Sequence, residues 1–423
     1  MTDTKIRQVF EAHVPQWVAA GDRVLLVVPD TTRSAPMARL MGLLLPILRA
    51  VGARVTVLVA LGTHPPLTRE ALRRHLGIDP HESEVRVLNH AWDDPSALMS
   101  VGTLSAVEVE SLSGGLLAEA VDLRVNRAIA TADSMLFLHP VFPHEMVGFS
   151  GGSKYIFPGI SGPEIIDTIH WLGALCTSGK IIGKIDTPSR RVLDAAAERM
   201  LLPLHGLSFV YHRGEVVALE AGELRQAWRR AAAVSQEVHV TYTPRQYVKV
   251  LACCPPMYPD LWTGGKCVYK CEPVVEDGGE LIVYAPHVKM FSEVHEATVE
   301  ALGFHVRDYF LAHMNSYAHL PRAVMAYSAI VKGDGTYRDG VERPRIHVSF
   351  ASQIPRRACE AAGIGYADPA TIDPAEWIGR EDSGILCVEH AGEIVYRVAR
   401  ERSTTGHLTE MTGNEANNNN TRL

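Results

Sequence analysis

The chain has 423 residues, 48 acidic against 41 basic side chains, a formal net charge of −7 at pH 7, and 47% hydrophobic and 21% charged residues. That composition belongs to a globular protein, not a disordered or fibrous one, and the length is a prior for about two to three domains. The acidic balance, with no long block of Lys and Arg to track a phosphate backbone, argues against nucleic acid as a partner.

The opening MTDTKIRQVFEAH is polar from its start, so no secretory signal is expected. Between Leu40 and Leu61 the chain is apolar, but Pro46, Arg49, Gly52 and Arg54 interrupt it. A membrane span wants about 20 mostly apolar residues, so a buried helix, a turn at Gly52 and a buried strand are expected, and no membrane. Seven cysteines without regular spacing do not form a disulfide framework, and a reducing cytoplasm fits them.

Arg23–Val28 and Arg54–Ala60 are continuous branched-aliphatic runs, as in strands buried on both faces of a parallel sheet. Helical periodicity follows each, at Met37–Arg49 and Arg69–Leu76, and further strands are expected at Glu84–Leu88 and Ser134–Leu138. The polar break TYTPRQ at 241–246 marks a boundary, giving domains 1–245 and 246–412. In the second, Tyr247–Cys253 and Glu280–Tyr284 read as strands, and Asp260–Val275 and Ser292–Leu302 as helices. Later strands are expected at Ile346–Phe350, Ile385–Glu389 and Ile394–Val398. Residues 413–423, GNEANNNNTRL, read as a disordered tail. The fold class is therefore α/β in both halves.

Polar residues cluster where strands end. Asp30 and Arg33 in VVPDTTRSAP follow the first strand; an arginine there can clamp a carboxylate or phosphate through two parallel hydrogen bonds, and an aspartate can orient it or cap a helix. Gly62, Thr63 and His64 follow the second strand, and His90 the third. A histidine in such a place can act as a general base, although with 19 histidines each one alone is more often a hydrogen-bonding structural residue. The stretch VFPHEMVGFSGGSKYIFPGISG is more distinctive. Gly148, Ser150, Gly151 and Gly152 surround Lys154, with His144 ten residues before it and His170 sixteen after, on a helix opened by Pro163. It lacks the spacing of a nucleotide-triphosphate loop.

Taken in order, Asp-x-x-Arg, Gly-Thr-His, His90, His144, the Lys154 loop and His170 resemble the lactate racemase family of nickel-pincer nucleotide enzymes. DLWTGGK adds Asp260 and Lys266, and the resemblance runs from about residue 20 to 290. It implies a Rossmann-like parallel-sheet domain and a smaller C-terminal α/β domain, with the active site in the cleft between them. It further implies a pyridinium mononucleotide that grips nickel, tethered covalently to Lys154, with His170 as the nickel's protein ligand. Asp30, Ser150, Gly151 and Gly152 would face that cofactor. His90 and His144 would be the acid/base pair, with His64 as the alternative to His90, and Arg33 and Lys266 would hold the substrate carboxylate. The implied reaction is isomerisation of a 2-hydroxy acid by hydride transfer through a 2-keto acid.

Thr263 and Trp262 stand where the family has glutamine and tyrosine, which points to a changed substrate pocket. With Tyr258, His287, Lys289 and His295 nearby, a polyhydroxy acid such as gluconate, epimerised at its 2-position, is preferred over lactate or another small 2-hydroxy acid. Proteins that build the cofactor are implied partners.

Two other classes compete. An NAD-dependent dehydrogenase would need glycines after the first strand, and VVPDTTRSAP has none. A non-enzymatic zinc-binding module on Cys253, Cys254, Cys267 and Cys271 would need an unusual ligand spacing.

Overall fold

The computed structural model describes residues 1–32, 34–79 and 85–399. Arg33 and the tail 413–423 lie outside the described residues.

Two sheets organise the chain. The first is built from β1 (Arg23–Pro29), β2 (Arg54–Ala60), β3 (Arg86–Asn89), β4 (Ser134–Pro140), β5 (Leu204–His212) and β6 (Glu215–Glu223), in the spatial order β6-β5-β4-β1-β2-β3. All neighbours are parallel except the β5–β6 hairpin at one edge. β1 and β4 are buried along almost their whole length, as their unbroken apolar runs require of strands covered on both faces. The helices expected at Met37–Arg49 and Arg69–Leu76 form as Met37–Val51 and Arg69–Leu76. Each is closed by a left-handed glycine, Gly52 and Gly77.

The second sheet comprises β7 (Tyr247–Cys253), β8 (Val275–Ala285), β9 (His347–Ser352), β10 (Gly365–Ala367) and β11 (Ile385–Val388), all parallel, in the order β10-β9-β8-β7-β11. A separate parallel pair joins Val240–Thr243 to Val395–Val398, so the last described strand returns to the end of the first half.

Three differences from the sequence reading have local causes. The helix expected over Asp260–Val275 is broken into Leu261–Gly264, Lys266–Cys271 and a 3₁₀ turn at Glu272–Val274, where Gly264, Gly265 and Pro273 interrupt it. The helix expected from Ser292 begins at Glu296, because the Ser292 hydroxyl instead accepts the backbone N–H groups of Val294 and His295. The hairpins Leu98–Leu104 with Val121–Asn126, and β5 with β6, were not foreseen. Their sequences, such as LMSVGTL, mix polar and apolar residues without a clean period.

Strand order reverses between β1 and β4: β2 and β3 lie on one side of β1, β5 beyond β4 on the other. In open α/β sheets the crevice at such a switch point, beyond the carboxyl ends of the strands, is where ligands bind. The segments that leave β1, β2 and β4 there are the polar clusters of the sequence.

Candidate active site

A cavity enclosing about 1130 Å³ and open to solvent lies at that switch point. The β1 exit contributes Asp30 and Thr32, the β2 exit Gly62, Thr63 and His64, and the β4 exit His144, Glu145, Ser150 and Lys154. Helix Pro163–Cys176 adds Ile166 and His170. The opposite wall comes from the second half of the chain: Trp262, Thr263, Lys266, Tyr269 and Tyr327. Both halves are thus needed to form one cleft.

The Asp30 carboxylate accepts from the Thr32 backbone N–H and hydroxyl, and lies 2.5 Å from His64 Nδ1. Burial pushes its pKa up, but His64 and the Thr32 hydrogen bonds outweigh that and hold the carboxyl well below its usual range. An ionised acceptor at Nδ1 puts the His64 proton there and leaves Nε2 with a lone pair. Asp30 therefore orients a base as well as ending a strand.

His144 takes the other arrangement, its Nδ1 accepting the Met146 backbone N–H at 3.2 Å. In helix Pro163–Cys176, His170 Nδ1 donates to the Ile166 carbonyl at 2.6 Å. Its Nε2 then carries the lone pair. Burial lowers the His170 pKa, which keeps the ring neutral and able to bind a metal.

Lys266 is 7% exposed and reaches across from the second half to donate to the Thr32 carbonyl at 3.4 Å. Its ammonium also sits 4.7 Å from the Tyr258 ring centroid. Asp260 caps the Thr263 turn, its Oδ1 accepting the Thr263 backbone N–H at 2.9 Å and hydroxyl at 2.5 Å. Trp262 stacks on Tyr327 with centroids 3.7 Å apart.

His90 is not among the residues lining this cavity. Its Nε2 bonds the Ser161 carbonyl at 3.0 Å and its Nδ1 the Asn126 side-chain amide at 3.1 Å, in a site where burial lowers its pKa. With both nitrogens engaged, it ties the β3 exit to the turn before helix Pro163–Cys176. Of the two candidates for the second base, His64 and not His90 lines the cavity with His144.

Gly151 and Gly152 also lie outside the lining, and a close approach behind the loop explains them. A Cβ on Gly151 would stand 2.9 Å from the His139 ring, and one on Gly152 2.7 Å from Trp228, both at positive φ, +88° and +60°. Ser150 does line the cavity, but its hydroxyl accepts the Phe142 N–H. Arg190, fully buried, donates to the carbonyls of Phe149 and Gly151, while Trp228 Nε1 donates to that of Ser150 at 2.8 Å. The loop carbonyls are claimed from behind, and Lys154 is left on the cavity side. Arg190 and Trp228 were missed in the sequence because nothing local marks a helical arginine as a loop clamp.

Would a nickel nucleotide fit here? Among the described residues no three His, Cys, Asp or Glu side chains gather as a metal site. One neutral imidazole beside one lysine suits a metal whose remaining ligands come from an organic group tethered nearby. The zinc alternative gains no support: Cys253, Cys254, Cys267 and Cys271 do not gather as a metal site among the described residues.

Comparison with known proteins agrees with this geometry. Residues 6–181 match the lactate racemase N-terminal domain. The chain is 32% identical over 149 residues to the lactate racemase of Lactiplantibacillus plantarum, covering 35% of this chain and 32% of that protein. It is 26% identical over 275 residues to that of Thermoanaerobacterium thermosaccharolyticum, covering 64% and 61%. The alignments thus span less than two thirds of either curated relative. A crystal structure of a Thermotoga maritima protein superimposes with a TM-score of 0.87 at 30% identity, covering 94% of this chain and 98% of that one. The Thermoanaerobacterium lactate racemase apoprotein shares the fold at a TM-score of 0.71 and 19% identity, with 93% of each chain covered. Residues 6–181 thus belong to the lactate racemase N-terminal domain family, and the chain as a whole shares the fold of these solved structures.

Proposed function

We propose that this protein is an isomerase that inverts the α-carbon of a 2-hydroxy acid. The observation that carries the reading is the meeting of Lys154, His170, His64, His144 and Lys266 in one cleft at the sheet's switch point. In this reading Lys154 would tether a nickel-pincer nucleotide and His170 Nε2 would ligate its nickel; the group would supply hydride acceptor and donor chemistry at the α-carbon. Lys266 holds the substrate carboxylate, together with Arg33, whose role rests on the sequence resemblance. His64 and His144 exchange the hydroxyl proton, each serving one enantiomer. Asp30 keeps a His64 proton on Nδ1 and so turns Nε2 toward the substrate. Trp262 and Tyr327 wall the cleft against water.

For the substrate we favour a polyhydroxy acid such as gluconate. Past Thr63, Trp262 and Thr263 the cavity adjoins a second hollow, mostly apolar, in which Tyr258, Ser292, Glu293 and His295 supply the polar groups that could meet additional hydroxyls. His287 Nε2 donates to the Tyr258 carbonyl and Lys289 is exposed, so neither supports the substrate chain. Lactate or another small 2-hydroxy acid is the second reading, favoured by the names of the curated relatives. The division at residue 245, a cytoplasmic setting and dependence on cofactor-building proteins belong to the same proposal. No helix among the described residues is long and apolar enough to cross a membrane.

Intact mass of the purified chain tests the tether. An adduct of mononucleotide size on Lys154, lost in Lys154→Ala, is expected; an active, unmodified Lys154→Ala protein would overturn it. A panel of 2-hydroxy acids followed by chiral chromatography then identifies the substrate, and a preference for lactate over gluconate would reject the polyhydroxy assignment.

A further inference from the structure

The two cavity imidazoles differ at their inner nitrogens. His64 Nδ1 faces a carboxylate, whereas His144 Nδ1 accepts the Met146 N–H at 3.2 Å. A ring nitrogen that accepts an N–H carries no proton, so neutral His144 in this arrangement holds its proton on Nε2. Such a ring is neither a base nor an acid toward a hydroxyl group at Nε2: the lone pair is absent, and losing the proton would leave an imidazolate. To work at Nε2, His144 must carry a proton on Nδ1, and Met146 N–H cannot accept one.

Glu145 can. Its Oε2 lies 3.5 Å from His144 Nδ1. That oxygen is buried and, among the described residues, has no hydrogen-bond partner, on a side chain only 13% exposed that lines the same cavity. A buried carboxylate oxygen left unpaired is costly unless some state of the protein uses it.

We propose that Glu145 is a positioning residue for His144, taking its Nδ1–H in both working forms of the ring, as Asp30 does for His64. The proton balance closes. With Nδ1–H held on Glu145, Nε2 takes the hydroxyl proton of one enantiomer and the ring becomes an imidazolium stabilised by the adjacent carboxylate, while His64 protonates the product oxygen; in the reverse direction Nε2 gives that proton back. The Met146 hydrogen bond marks a resting form in which the proton sits on Nε2. Among the described residues, Asp30, His64, His170, Lys154 and Lys266 share the cavity with this pair, as do the phenols of Tyr155, Tyr269 and Tyr327. The Lys266 ammonium, which stays charged when Lys154 is tethered, opposes charging of His144, which is why a neighbouring carboxylate matters. The inference rests on reading His144 as an acid/base group, and its test separates the two.

Ring-nitrogen NMR on the full-length labelled protein, with the His144 signal assigned by its loss in His144→Gln, reads protonation and tautomer without needing turnover. Removing a carboxylate this close shifts a neighbour's proton affinity by about tenfold or more. Glu145→Gln is therefore expected to lower the His144 titration midpoint by at least about one pH unit and to lock the neutral ring with its proton on Nε2, while Glu145→Asp restores part of the shift. In the loaded enzyme, kcat of Glu145→Gln should fall on the order of ten- to a hundredfold with KM nearly unchanged. A His144 midpoint and tautomer identical in wild type and Glu145→Gln would overturn the proposal. So would a wild-type imidazolium whose Nδ1–H is not bonded to Glu145, a measurement that needs no variant to fold. A shifted titration in a loaded protein that inverts no 2-hydroxy acid would uphold the pairing and refute the functional reading instead.

Discussion

His64 and His90 look alike in the sequence, each a histidine just past a strand, and their surroundings separate them. His64 has one nitrogen on a carboxylate and lines the cavity; His90 has both nitrogens inside the protein, on Ser161 and Asn126. Substituting them should therefore have opposite consequences. His64→Ala is expected to lower kcat by about a hundred- to ten-thousandfold, the usual contribution of an acid/base group, beyond whatever stability is lost where Asp30 is left buried without its partner. His90→Ala should leave kcat within a few fold but cost about 1–3 kcal/mol, because it strands a buried carbonyl and amide. Steady-state kinetics together with urea unfolding reads both. Asp30→Asn tests the orientation of His64: a neutral amide no longer fixes the tautomer, so kcat should drop at least about a hundredfold while the fold persists.

At the scale of elements, the loop between β4 and helix Pro163–Cys176 carries the lysine, and its shape is imposed from outside. Its carbonyls meet Arg190 and Trp228, and Gly152 N–H donates to His139 Nε2 at 3.2 Å. Gly152→Ala would drive a methyl group to 2.7 Å from Trp228 at a φ of +60°. We expect it to destabilise the protein by at least about 2 kcal/mol and to reduce modification of Lys154, read by thermal unfolding and intact mass. The glycines were visible in the sequence, but their purpose was not. A glycine that lets a ligand approach and one that lets a tryptophan approach look the same until the neighbours are known. The strands were legible for the opposite reason, since burial on both faces writes itself into a continuous apolar run.

Over the whole molecule, the first sheet is backed by imidazoles that cannot carry charge. Burial pushes His139 and His239 down to about 3. Both are therefore neutral in the folded protein where an unfolded chain, with a pKa near 6.5, would already bind protons. The unfolded state binds more protons below that value, so stability should be full above about pH 6.5 and fall as pH drops toward about 3, by about 1.4 kcal/mol per unit for each ring. Urea midpoints compared at pH 7.5 and 5.5 should show a loss of about 2–3 kcal/mol, and a flat profile would mean that the rings titrate freely.

The sequence by itself determined the α/β class, most of the strands, the polar exits of β1, β2 and β4, and the spacing of His144, Lys154 and His170. Those features are local, since periodicity and chain order survive without contacts. Only the tertiary structure decided which histidine joins His144, why two glycines flank the lysine, and that Lys266 crosses from the other half to the Thr32 carbonyl. Each depends on residues far apart in sequence, brought together where the order of the sheet reverses, and no local pattern encodes such a meeting.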